Sequence, residues 1–229
     1  LTPVKRVNKY ITKNEPKIAD TPTRSGIPLA TSPPNTNTNK IPFQENEISY
    51  ELFKFAVYKN IDILSDFLSI DEMESNKVHY SPKLKNIKEF FKNTMNDLEL
   101  LLKKDQVIDL DFDLSKDEFL VDSRILTHVI SNLITNAIKY SSEGDRIEVK
   151  VYDKSNSLNF YIKDYGIGIP KKEQKSLFER FFRADNAENI QGTGLGLYIV
   201  QRYLKIMGGS IHFESEEGKG STFYIELKL

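Results

Sequence analysis

Proline and glycine are distributed so unevenly that they divide the chain before any periodicity is considered. Seven of the nine prolines (Pro3, Pro16, Pro22, Pro28, Pro33, Pro34 and Pro42) lie in the first 42 residues, and ten of the eleven glycines lie at Gly144 or later. Proline fixes φ and removes a backbone donor, so a stretch broken this often supports neither a helix nor a central strand. Residues 1–46, with the polar run Thr31-Ser-Pro-Pro-Asn-Thr-Asn-Thr-Asn39, are therefore expected to form an extended arm or linker.

Residues 47–80 change character. Phe53, Val57, Ile61, Leu64 and Leu68 recur at three-to-four spacing between charged residues, which predicts one face of an amphipathic helix. A lone helix of this length is not stable, so the stripe needs a second helix, a second chain or the rest of the domain.

The remainder, residues 81–229, mixes helical and strand periods. Ile87, Phe90, Phe91, Met95, Leu98 and Leu102 predict a helix over about 86–102, and Val107-Ile-Asp-Leu-Asp-Phe112 alternates as a strand. Asp122 or Ser123 can cap a second helix, whose buried stripe is Leu126, Val129, Ile130, Leu133, Ala137 and Ile138. Arg146–Tyr152 and Leu158–Ile162 read as strands joined by a turn at Asp153–Asn156, and Ser210–Glu214 and Ser221–Leu227 flank a turn at Gly218–Gly220. This order predicts an α/β sandwich, one sheet with helices on one face.

Three constellations in this part carry chemistry. Asn132 and Asn136 are four residues apart, so both carboxamides share one helix face, with Lys139 and Tyr140 following. Amide oxygens suit a hard cation such as Mg²⁺, which takes its other ligands from water and substrate phosphates. Asp164-Tyr-Gly-Ile-Gly-Ile-Pro170 follows a strand; Gly166 and Gly168 permit a tight turn, and Asp164 can accept a hydrogen bond from an exocyclic amine such as that of adenine. Gly192-Thr-Gly-Leu-Gly-Leu-Tyr-Ile-Val200 runs three alternate glycines into a helical pattern, where backbone N–H groups can hold phosphate. It follows no first strand of a βαβ unit, and the chain has no GxxxxGK[ST] loop, so neither a dinucleotide fold nor a P-loop is indicated.

Bulk properties exclude rather than identify. With 32 basic and 33 acidic residues the formal charge is −1, which gives no electrostatic footprint for nucleic acid. Zero cysteines exclude a disulfide framework, a thiol nucleophile and a Cys-zinc site. No stretch reaches the roughly 18 apolar residues of a bilayer span, as expected of a soluble, cytoplasmic part, whether or not the parent protein is membrane-attached.

Taken in order, Asn-x₃-Asn, Asp-x-Gly-x-Gly, Leu177-Phe-Glu-Arg-Phe-Phe-Arg183 and Gly-x-Gly-x-Gly resemble the N, G1, F and G2 boxes of two-component histidine protein kinases. Gly218-Lys-Gly-Ser-Thr-Phe223 is similar to their G3 element. The resemblance implies a Bergerat-type ATP-binding fold with ATP and Mg²⁺ as cofactors. It implies that Asn132 and Asn136 hold Mg²⁺ and phosphates, Lys139 contacts phosphate, Tyr140 lies against the nucleotide and Asp164 binds the adenine amine. Gly166 and Gly168 then shape the base pocket, Gly192, Gly194 and Gly196 form the hinge of a phosphate lid, and Thr193 and Leu195 between them count among the ATP-binding residues. Phe178, Phe181 and Phe182 seat that lid, Ala184–Gln191 is its mobile part, and Thr222 assists at adenine through water. For Arg183, a phosphate contact and a surface role both stay open.

Asn60-Ile-Asp-Ile-Leu-Ser-Asp-Phe-Leu-Ser-Ile-Asp-Glu-Met-Glu74 is similar to the second helix of the family's dimerisation and phosphotransfer hairpin. A homodimer through this segment, and a response-regulator receiver domain as partner, follow from the resemblance. The family's acceptor histidine sits in a motif like His-Glu-x-x-Thr-Pro. None of His79, His128 and His212 does: His79 reads as an exposed connector residue, His128 as a residue beside the N box, and His212 as a sheet residue. Leu1-Thr-Pro3 resembles the end of the motif, which puts an acceptor just upstream; residues 1–46 are then an altered first-helix region. Two other readings stay open: a non-catalytic nucleotide-binding scaffold, and an ATPase like the gyrase and heat-shock chaperone relatives. The second is disfavoured because no glutamate occupies the N-box helix as a base for water.

Overall fold

The computed structural model describes Leu64 and residues 66–75, 77–154 and 156–228. The expected arm at 1–46, and Phe53, Val57 and Ile61 of the apolar stripe, lie outside the described residues.

Five strands form one mixed sheet in the order β2-β4-β5-β7-β6: β2 (Val107–Asp113), β4 (Arg146–Lys154), β5 (Ser157–Asp164), β6 (Ser210–Glu216) and β7 (Gly220–Lys228). Only the β2–β4 pair is parallel; the other neighbours are antiparallel. Strict alternation explains the single covered face. Ile147, Val149 and Val151 of β4 and Leu158, Phe160 and Ile162 of β5 are buried, and the residues between them face solvent.

Three helices cover that face: α2 (Ile87–Leu98), α3 (Ser123–Tyr140) and α4 (Gly196–Ile206). All six residues of the expected α3 stripe are buried, joined by Ile125 and Ile134. Each Val, Leu or Ile among them contributes about 1.5–3 kcal/mol when removed from water. Phe91 of α2 meets Phe160 edge-on, with ring centroids 5.3 Å apart, and so fixes helix to sheet. Asp122 caps α3, accepting from the N–H groups of Arg124 and Ile125, while its second oxygen accepts from Ser81 N–H at 2.9 Å.

A small ribbon was not legible in the sequence. Strands β1 (Lys83–Asn86) and β3 (Glu118–Val121) pair antiparallel, and four residues each are too few for alternation to stand out. Upstream, helix α1 (described over 66–74) turns Ser69 and Met73 toward the domain and leaves Leu64, Phe67 and Leu68 exposed. The two described members of the apolar stripe are thus not covered by this domain.

Candidate functional site

The inner surface of α3 supplies the first wall of a cleft. Asn132 donates through Nδ2 to the His128 carbonyl at 3.0 Å, which orients the carboxamide and turns Oδ1 toward Gly196 at the start of α4. Beyond Asn136, the helix end carrying Lys139 and Tyr140 is held by groups outside the helix. Lys103 Nζ donates to the carbonyls of Lys139 (2.9 Å) and Ser141 (2.5 Å), Gln106 donates to that of Ser142, and Ile167 N–H donates to that of Tyr140 at 3.1 Å. Carbonyls that a helix end leaves open therefore have partners, and the last turn stays fixed.

Asp164, the last residue of β5, forms the floor. It is 6% exposed, and its Oδ1 accepts from the N–H groups of Gly166 (2.9 Å) and Ser221 (3.3 Å). Burial pushes its carboxyl up to about 6; those two hydrogen bonds oppose the rise and the charge of Asp145 adds to it. The turn that follows packs too tightly for side chains. A Cβ on Gly166 would lie 2.1 Å from the Tyr140 carbonyl oxygen, and Gly168, at φ +62°, would set one 2.0 Å from that of Glu216.

The third wall is the segment from Leu177 to Gly196. Arg183 folds back over it, donating through Nη2 to the carbonyls of Ala187, Glu188 and Ile190, so this guanidinium is a clasp for its own loop. Within Ala184–Gln191 a 3₁₀ turn, Asp185–Ala187, is tethered by Lys172 to Asp185 and by Asn186 Nδ2 to the Gly168 carbonyl. Gly194, at φ +72°, passes so close to the Phe181–Phe182 backbone that a Cβ would lie 2.6 Å from Phe181 C. Tyr140 is half-buried among these groups. Burial raises its phenol pKa, the nearby Arg183 charge works against the rise, and the side chain stays a neutral donor.

Together these walls enclose a cavity of about 210 Å³. Asn132, Asn136, Lys139, Tyr140, Asp164, Gly168, Gly192, Thr193, Gly194 and Gly196 all line it. Gly166 and Leu195 do not: Gly166 lies against the Tyr140 carbonyl, and Leu195 is fully buried in the core. Thr222 needs correcting, because strand alternation turns it to the opposite face of β7 while Ser221 and Phe223 line the cavity. The β5–β7 register sets Ser221 directly beside Asp164, and the alternation of β7 could have identified it. Of the expected lid-seating phenylalanines, Phe182 lines the cavity and Phe178 packs on Phe213, but Phe181 is 61% exposed at φ +61°. Asp66 of α1 also reaches the cavity, which its sequence context did not signal.

The histidines fall as their contexts suggested. His79 is exposed in the connector, and His212 stacks on Tyr224 on the open face of the sheet. His128 lines the cavity against Tyr203; burial and the charge of Arg124 lower its pKa, Glu72 opposes them, and the imidazole stays neutral. Among the described residues no cluster of three or more His, Cys, Asp or Glu can hold a metal ion. No helix among the described residues is long and apolar enough to cross a membrane.

Residues 121–229 match the family described as histidine kinase-, DNA gyrase B- and HSP90-like ATPase. The chain is 33% identical to sensor histidine kinase WalK of Bacillus subtilis over 173 residues, covering 73% of this chain and 28% of that protein. It is 34% identical to aerobic respiration control sensor protein ArcB of Escherichia coli over 176 residues, covering 72% and 22%. The chain carries a histidine-kinase catalytic ATP-binding domain. This kinase domain shares its fold with the catalytic domain of histidine kinase ThkA (TM-score 0.55, 26% identity, 65% of this chain and 95% of that one). Acinetobacter baumannii histidine kinase AdeS shares it as well (TM-score 0.64, 23% identity, 80% and 84%). The chain spans about a quarter of the length of the two relatives, so the kinase domain is what the comparison covers.

Proposed function

We propose that this chain binds Mg-ATP in the α3–Asp164–Gly192 cleft and transfers the γ-phosphate to a histidine, from which it passes to an aspartate on a response-regulator receiver domain. The observation that carries the proposal is convergence. Two carboxamides, an ammonium and a phenol on α3 meet a buried carboxylate at the end of β5, and the cavity they line is closed by the glycine-rich start of α4.

The roles follow from chemistry. Asp164 accepts from the adenine amine, Ser221 N–H holds its carboxylate in place, and Gly168 leaves room for the base. The half-buried Tyr140 lies along the nucleotide. Lys139 and the N–H groups at the start of α4 offset the charge of the phosphates. Asn132 fits Mg²⁺ as an oxygen donor, because its Nδ2 is committed to the His128 carbonyl and its Oδ1 faces the phosphate end; Asn136, one turn on, would join it through its own amide oxygen. Bound there, Mg²⁺ would supply charge neutralisation at the phosphates. The protein's own contribution is to hold the γ-phosphate in line with the attacking imidazole and to exclude water beneath the loop.

The exposed Leu64, Phe67 and Leu68 of α1 support a homodimer through this helix, with the acceptor histidine on a hairpin that the described residues do not include. The test is incubation with Mg-ATP labelled at the γ position, alone and with a separate acceptor hairpin. Acid-labile, alkali-stable label on the hairpin is expected. Phosphate release without labelling of any protein would contradict the phosphotransfer reading.

A further inference from the structure

The cavity contains one carboxylate that the kinase-domain match does not account for. Asp66 lies on α1, well before residue 121 where the match begins, yet it lines the cavity and accepts a hydrogen bond from the Thr193 hydroxyl at 2.8 Å. Thr193 belongs to the glycine-rich loop, and its Oγ1 accepts in turn from Leu195 N–H at 3.2 Å. Asp66 thus puts an anionic oxygen on a donor of the loop where the phosphates of a nucleotide are proposed to lie.

The helix that delivers Asp66 is held to the lid by further contacts. Glu74 pairs with Arg180, whose guanidinium lies over the Tyr198 ring at 4.7 Å and donates to its hydroxyl at 2.9 Å. Met73 is 5% exposed within the core cluster, and Glu72 lies 3.8 Å from Arg124 of α3. Two acidic side chains two turns apart on one helix therefore grip both ends of the segment that closes the cavity, Arg180 before it and Thr193 after it.

We infer that Asp66 is a specificity-determining residue that discriminates among nucleotides by their phosphate charge; this rests on the nucleotide reading of the cavity. A carboxylate at Thr193 repels each added phosphate and competes for the same loop donor, so ATP must displace Asp66 whereas AMP leaves it in place. While α1 is seated, the phosphate end of the site is held by the protein's own anion. Release of the helix raises affinity for ATP more than for AMP.

The test measures binding of a non-hydrolysable ATP analogue, ADP and AMP, each with Mg²⁺, to the whole 229-residue chain and to Asp66→Asn. The amide keeps the size of the side chain and an acceptor for Thr193, and removes only the charge. The analogue should bind about fivefold more tightly to Asp66→Asn, ADP should gain less, and AMP should stay within about 1.5-fold, as one charge removed close to the phosphates implies. Glu74→Gln, which loosens the helix without altering the cavity, should move the analogue in the same direction. Unchanged or weaker analogue binding to Asp66→Asn overturns the inference, weaker binding making Asp66 a ligand instead of a competitor. An equal gain for AMP also overturns it, since general opening then explains the effect. Failure of both wild type and variant to bind any of the three would contradict the nucleotide reading itself, whereas binding by the variant alone supports the gate.

Discussion

The side-chain oxygen of Asn132 stands 2.6 Å from the point where a Cβ on Gly196 would lie. The N-terminus of α4 can approach the carboxamides of α3 this closely only because residue 196 has no side chain. The proposed cation site and the proposed phosphate site are thereby brought together by one backbone contact.

Gly196→Ala separates stability from binding. Alanine favours the helix by up to about 1 kcal/mol over glycine, which offsets much of the strain of the new methyl group. The melting temperature should therefore shift by only a few degrees, by an order-of-magnitude conversion of that energy. Displacing Asn132 or α4 should weaken Mg-ATP binding about tenfold or more, read by calorimetry. A variant that melts early but binds normally would show that the contact is only packing.

Asp164 gives a pH signature. Its folded pKa, about 6, lies above the ordinary value of 3.8, so the folded chain holds a proton that the unfolded chain has lost between those values. Stability from this group is therefore full below about pH 4, falls as pH rises toward 6, and is level above, with a total swing of at most about 3 kcal/mol. Asp164→Asn should remove that slope in denaturant titrations and leave the fold intact. Adenine recognition runs the other way, because the ionised form is the better acceptor. Wild-type ATP affinity should rise from pH 5 to 7, and the variant should bind weakly and without that slope.

Asp122→Ala tests the entry to α3. Loss of the cap costs about 1–2 kcal/mol, and the Ser81 N–H loses its partner as well. A total loss near 2–3 kcal/mol in urea unfolding is expected, with nucleotide affinity nearly unchanged in the remaining folded fraction.

Lys103→Met removes the ammonium that holds the Lys139 and Ser141 carbonyls. The methionine keeps the apolar stem, so the loss is that of two charge-assisted hydrogen bonds, about 2–3 kcal/mol in stability. Because Lys139 and Tyr140 sit on the freed turn, ATP affinity should also fall severalfold, checked by fluorescence titration.

The helices, the five strands of the main sheet and most of the expected site residues were legible because their signals are local. The α3 stripe repeats over 18 residues, and Asn132, Asn136, Asp164 and the alternate glycines keep their order and spacing. Other features depend on contacts distant in sequence. Ser221 lies beside Asp164 only through strand pairing, and Lys103 reaches the end of α3 across 36 positions. Asp66 meets Thr193 across 127 positions, which no periodicity encodes. The misplacement of Thr222 has a plainer origin: a one-residue slip along a strand exchanges the two faces.

The most direct test of the account is calorimetric titration of the whole chain with ATP, with and without Mg²⁺, beside Asn132→Ala and Asp164→Asn. The account predicts one site per chain that Mg²⁺ strengthens, loss of the Mg²⁺-dependent part in Asn132→Ala, and loss of adenine-over-guanine preference in Asp164→Asn. Binding by both variants indistinguishable from wild type, or no binding by the wild-type chain, would contradict it.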